Sequence, residues 1–160
     1  MVLAALGEVG VKEEGCSNCG KRVEEYLAST NLQRGFPWCS SFCHWCFRQT
    51  GTVLKPERAF AAAAQFATAN EVFRKGQLDD YDPLGPGHDW ERISEDGDVG
   101  VLYYSKLGRI GHCFIIYGET EDYLLSVEGN TSEDGGREGT TVRKRKRLKS
   151  TVHSIHRWLY

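Results

Sequence analysis

The hydrophobic pattern changes period near residue 97, and this change constrains the fold more than any other feature of the chain. Before it, apolar residues recur at helical spacing. Val23, Tyr26 and Leu27 share one helical face, and Trp38 to about Gln49 forms a second, aromatic-rich helical run closed by Gly51. Val2 to Val11 is expected to begin with a short helix, and Ser17 or Asn18 to cap the Val23 helix. Lys55-Pro56-Glu57 is expected to open an alanine-rich helix ending near Asn70. After residue 97 come apolar runs of strand length, Val99 to Tyr104, His112 to Tyr117 and Tyr123 to Glu128, and Val142 to Lys146 and Val152 to Leu159 are expected to be further strands. Helices followed by antiparallel strands imply an α+β domain. At 160 residues, the chain suits one domain with one core, spanning 1–160. Between Glu71 and Gly97 the pattern fades, and Tyr81-Asp82-Pro83-Leu84-Gly85-Pro86-Gly87 reads as turns.

The formal net charge of −2 gives no global attraction to nucleic acid. Acidic residues gather between Asp79 and Asp98, and basic ones between Arg143 and Lys149. The run Arg143-Lys144-Arg145-Lys146-Arg147 reads as a solvated strand or hairpin, with attraction to an anionic cell wall as a further role. No apolar run is long enough to span a bilayer, and the N-terminus lacks the pattern of a signal peptide. The six cysteines are therefore expected to be reduced where the chain is made.

Cys39 opens its helix directly after Pro37-Trp38, where unpaired amides and the helix dipole favour a thiolate. Cys43 and Cys46 follow at helical spacing beside Phe42 and Phe47 and read as small buried hydrophobes. A thiol nucleophile needs a base. His44 is turned away around the helix, His88 lies in the loop, and His153 and His156 lie near the C-terminus. His112 opens an apolar strand after Gly111. With Thr120 at the centre of the following turn, His112 falls opposite Glu128, Phe114 opposite Ser126 and Ile116 opposite Leu124. Alternation puts Glu128 and Asn130 on the face of His112, and either could fix the tautomer of the ring. The expected catalytic set is Cys39, His112, Glu128 and Asn130. Trp38 and Gly111 are expected to line the cleft, and Tyr81 or Trp90 to contact substrate.

These strings carry a family resemblance. Gly35-Phe36-Pro37-Trp38-Cys39-Ser40-Ser41-Phe42-Cys43-His44-Trp45 resembles the nucleophile helix of CHAP-type cell-wall hydrolases. Gly97-Asp98-Val99, Gly111-His112 and Val127-Glu128-Gly129-Asn130-Thr131 resemble, in order, their strand entry, histidine strand and third-residue motif. Trp38, where NlpC/P60 enzymes proper carry an acidic residue, favours the CHAP branch. The resemblance implies a papain-like NlpC/P60 fold, with N-terminal helices packed on a C-terminal antiparallel sheet. It implies a cysteine amidohydrolase that needs no cofactor and no metal. The implied substrate is peptidoglycan, its stem peptide or glycan, cut at the muramoyl–alanine amide or at a peptide bond. A secreted antibacterial effector with a neutralising immunity protein, a phage lysin and a housekeeping enzyme all fit. The chain is expected to be made in the cytoplasm and to act at the cell wall or periplasm after non-classical export or lysis.

Two other function classes compete. One is a catalytically silent wall-binding module on the same fold. The other is a zinc-binding protein using Cys16, Cys19, Cys43 and Cys46. Cys39, Cys43 and Cys46 also match an iron–sulfur spacing, but a helical run in a chain this short argues against a cluster.

Overall fold

The computed structural model describes residues 1–68, the backbone of 71–74, residue 94, and residues 96–158. Three α-helices come first, α1 (Val2–Gly7), α2 (Lys21–Ser29) and α3 (Cys39–Arg48). Six strands follow among the described residues: β1 (Glu71–Arg74), β2 (Val99–Tyr104), β3 (Arg109–Glu119), β4 (Tyr123–Thr131), β5 (Thr141–Leu148) and β6 (Ser154–Arg157). They form one sheet in the order β1-β6-β2-β3-β4-β5, every neighbouring pair antiparallel. The architecture is α+β, with helices packed on an antiparallel sheet.

The helical spacing of Val23, Tyr26 and Leu27 buries one face of α2 against α3, whose Phe42, Cys43, Cys46 and Phe47 are enclosed in the same core. From the sheet, Val99, Val101, Cys113, Ile115, Val127 and Val142 join that core. Alternation sends Phe114, Ile116 and Leu124 to a second cluster with Leu102, Val152 and Ile155.

Several elements depart from their expected form. The cap of α2 is Gly20 with no side-chain hydrogen bond, so neither Ser17 nor Asn18 serves there. Asn18 instead takes a left-handed conformation (φ 56°) between Gly15 (φ 82°) and Gly20 (φ 121°). This tight turn draws Cys16 and Cys19 together, and they form a disulfide rather than the reduced thiols expected. The alanine-rich segment is two 3-10 pieces, Glu57–Ala61 and Ala63–Thr68, separated by an extended Ala62. Phe60, Ala63 and Phe66 are the buried residues, and within the second piece the spacing of three puts Ala63 and Phe66 on one side of a 3-10 turn. Phe60 and Phe66 pack edge-on with each other and with Trp158, so tertiary packing overrides the helix propensity of alanine. Strand β1 lies where the apolar pattern had faded, paired with β6 from Glu71↔Arg157 to Arg74↔Ser154.

The β3–β4 hairpin is displaced from its expected register. Thr120 pairs with Tyr123 across the turn, and Ile116 lies opposite Ser126, not Leu124. A register irregularity between Ile116 and Gly118 completes the offset of two residues. An offset of two preserves the face on which each side chain lies, whereas an offset of one would have reversed it.

Candidate active site

Cys39 is the first residue of α3, and no side chain caps the amides of that helix end. The first amides of a helix lack intrahelical partners, so they remain free to bind a developing anion. Cys39 is 6% exposed and lines a cavity of about 380 Å³ together with Pro37, Ser40 and Gly111. The other three free cysteines, Cys43, Cys46 and Cys113, are fully buried.

The position of α3 over the sheet depends on Gly129. A Cβ at this position would lie 2.7 Å from Phe42 and 2.9 Å from Trp38, so only glycine lets β4 approach the helix this closely. At Gly111 the β2–β3 pairing skips a residue: Leu102 lies opposite His112, and Tyr103 opposite Ile110. This irregularity sets the histidine at the point where β3 passes the start of α3.

His112 is completely buried. Its Nε2 lies 2.9 Å from Glu128 Oε2. Glu128 is equally buried. It accepts a hydrogen bond from Ser126 Oγ at 2.7 Å and one from Arg147 Nε at 2.8 Å, with a second Arg147 nitrogen on its other oxygen. Burial alone would raise the Glu128 carboxyl, but Arg147 and His112 outweigh it and hold the group at about 2. The carboxylate is thus a fixed negative charge behind the imidazole. His112 Nδ1 has no hydrogen-bond partner. Burial disfavours its cation, but Cys39 and Glu128 more than offset this and bring the ring to about 9. Cys39 is pushed the other way, upward, by the neighbouring Cys113 sulfur and by burial, with His112 pulling it down. The fixed Glu128 charge behind the ring favours the imidazolium that forms when Cys39 gives up its proton.

Asn130 makes no hydrogen bond to His112. It sits in the left-handed region (φ 57°), and its Nδ2 donates to Arg137 O at 3.1 Å. Its amide is committed to the β4–β5 connection, so of the two candidate orienting groups Glu128 is the one hydrogen-bonded to the ring. Trp38 is wholly enclosed, stacked on Tyr26 with its Nε1 donating to Glu13 at 2.9 Å, and therefore packs the core instead of forming a cleft wall. Tyr81 and Trp90 lie outside the described residues. The Gly97-Asp98 entry is structural: Asp98 accepts two bonds of 3.0 Å from Arg157 on β6. His44 is held between Ser29 and Leu54 in the core.

Sequence reasoning missed Arg147. Within β5, Arg143, Arg145 and Arg147 alternate with Lys144 and Lys146, and only the lysines of that run are fully exposed. The period-2 placement of three arginines across from a strand carrying a buried glutamate was the available signal. The four cysteines weighed as zinc ligands are not assembled as a site, since Cys16 and Cys19 are bonded to each other. Among the described residues, no group of three or more His, Cys, Asp or Glu side chains is arranged to hold a metal. No described helix is long and apolar enough to cross a membrane.

No protein-family model, curated protein or solved structure matches the chain.

Proposed function

We propose that this chain is a cysteine amidohydrolase of CHAP type on a papain-like NlpC/P60 fold, cleaving an amide bond in peptidoglycan. One observation carries the reading. A buried histidine is fixed on one nitrogen by a charged glutamate and interacts with Cys39, which lines a cavity. The order of motifs along the chain adds the family and, with it, the peptidoglycan substrate, whose bond is the muramoyl–alanine amide or a stem peptide bond. The site of action on this reading is the cell wall or periplasm, and a neutralising immunity protein is the matching partner if the chain is an effector.

In the reaction, His112 Nδ1 takes the Cys39 proton, and the thiolate adds to the amide carbon. The backbone amide at the start of α3 stabilises the oxyanion. The imidazolium then protonates the departing amine, leaving a thioester on Cys39. Water, deprotonated by His112, hydrolyses the thioester and restores the thiol. Throughout, Glu128 holds the ring orientation, and Arg147 holds Glu128 ionised.

Incubation of purified sacculi with the protein, followed by mass spectrometry of the released fragments, tests the proposal and names the bond. Wild type should release fragments carrying a new amine and carboxylate, and Cys39→Ala should release none while keeping its circular dichroism. A folded Cys39→Ala protein with undiminished release would end the thiol mechanism. A wild type that binds sacculi without cutting them would leave a silent wall-binding module.

A further inference from the structure

Among the described residues, those lining the Cys39 cavity include three arginines and no carboxylate. Arg58 comes from the first 3-10 piece, Arg109 from the start of β3 and Arg137 from the β4–β5 connection. The segments are far apart in sequence, so the convergence is a product of the fold. Arg58 and Arg109 are exposed, and neither forms an ion pair with a described residue. Arg137 is largely covered. One of its terminal nitrogens lies 2.9 Å from the exposed Glu138, and its Nε is buried without a partner. A cleft walled by charges of one sign focuses the field within it and concentrates ligands of the opposite sign. Guanidinium groups match carboxylates in shape as well as in charge.

We propose that this cleft selects an anionic substrate: a peptide amide bearing a free carboxylate beside the scissile bond, bound by Arg58, Arg109 and Arg137. The inference rests on Cys39 being the nucleophile, and it narrows the substrate from any accessible amide to an acidic one. The remainder of the lining is small or apolar, including Phe36, Pro37 and the alanines 61–63, which leaves room for a peptide backbone without competing for its charge.

Two probes of similar size test this without peptidoglycan. Iodoacetate and iodoacetamide both alkylate a thiolate by forming a sulfur–carbon bond and expelling iodide, and they differ in charge. Rates at Cys39 are followed by peptide mass mapping, with an unstructured neutral cysteine peptide as reference. The iodoacetate-to-iodoacetamide rate ratio at Cys39 should exceed that of the reference peptide by about 10-fold at low salt and fall as the Debye length shrinks. Arg58→Gln and Arg109→Gln, both at exposed positions where folding is not at stake, should each lower the ratio by about 3-fold. Because His112 and the helix end are unchanged in these variants, the decrease isolates the arginines. A ratio unaltered in the double variant overturns the proposal. In a second arm, stem peptides with free carboxylates are compared with their amidated forms. A kcat/KM preference for the free acid that is lost in the double variant supports the proposal, and equal turnover of both forms overturns it. If sacculi are not cut at all while the alkylation preference persists, the peptidoglycan reading fails and the anionic cleft stands.

Discussion

Arg147→Gln is the most informative single change, because it removes one half of a buried charge pair and leaves the other half in place. Glu128 is fully enclosed, and Arg147 is 13% exposed along its side chain. Breaking a buried ion pair costs about 3–5 kcal/mol, since the surviving charge is desolvated and unpaired. Partial exposure of Arg147 and the remaining contacts from His112 and Ser126 place the expected loss near the lower end, about 3 kcal/mol. For a chain of this length that corresponds to a Tm decrease of roughly 6–12 °C. The loss should depend on pH in a defined direction. Glu128 sits at about 2 in the folded protein against 4.5 for an unperturbed glutamate. A depressed carboxyl contributes stability above its unfolded value and loses it as pH falls through its folded value. The gap between wild type and Arg147→Gln should therefore be full above pH 4.5 and close progressively towards pH 2. Urea unfolding at pH 7 and at pH 2.5 measures this. In a double-mutant cycle with Glu128→Gln, the two losses should be strongly non-additive, because they delete the same interaction. A loss below about 0.5 kcal/mol at pH 7, the range of an ordinary surface substitution, would refute the reasoning. So would a gap that is unchanged at pH 2.5.

Gly129→Ala should destabilise by about 2 kcal/mol through overpacking against Phe42 and Trp38. It should also reduce turnover by levering α3 from β4, while Gly7→Ala, with open space at its Cβ, stays within about 0.5 kcal/mol of wild type. Equal effects of the two alanines would show that the close approach at Gly129 is unimportant. The titration of His112 gives an alkaline signature. Its folded value of about 9 lies above the unperturbed 6.5, so its contribution is complete below pH 6.5 and disappears as pH rises through 9. His112→Gln should abolish the alkaline decline in unfolding free energy. An identical alkaline decline in wild type and His112→Gln would assign it to another group.

Local pattern was enough to define α3, β2 and the apolar runs of β3 and β4, because each buries one face and the period of that face is written in the side chains. It was also enough to put His112 and Glu128 on one face of the sheet, since parity survives an offset of two residues. The offset itself was not legible. It arises from the turn closing on Thr120 and Tyr123 and from the irregularity near Gly118, neither of which changes the hydrophobic alternation. The choice between Glu128 and Asn130 was likewise a tertiary decision, made when the Asn130 amide was committed to the Arg137 carbonyl. Trp38 looked like a cleft residue because it adjoins Cys39, but adjacent residues at a helix start point in different directions, and its indole found the core. The 3-10 form of the alanine segment was set by where Phe60 and Phe66 had to reach. Arg147 and the trio Arg58, Arg109 and Arg137 show the general limit. Sequence fixes which residues carry charge and which face of a strand they occupy. Which opposite charge a long flexible side chain meets, and which distant cations share one cleft, is decided only when the chain closes on itself.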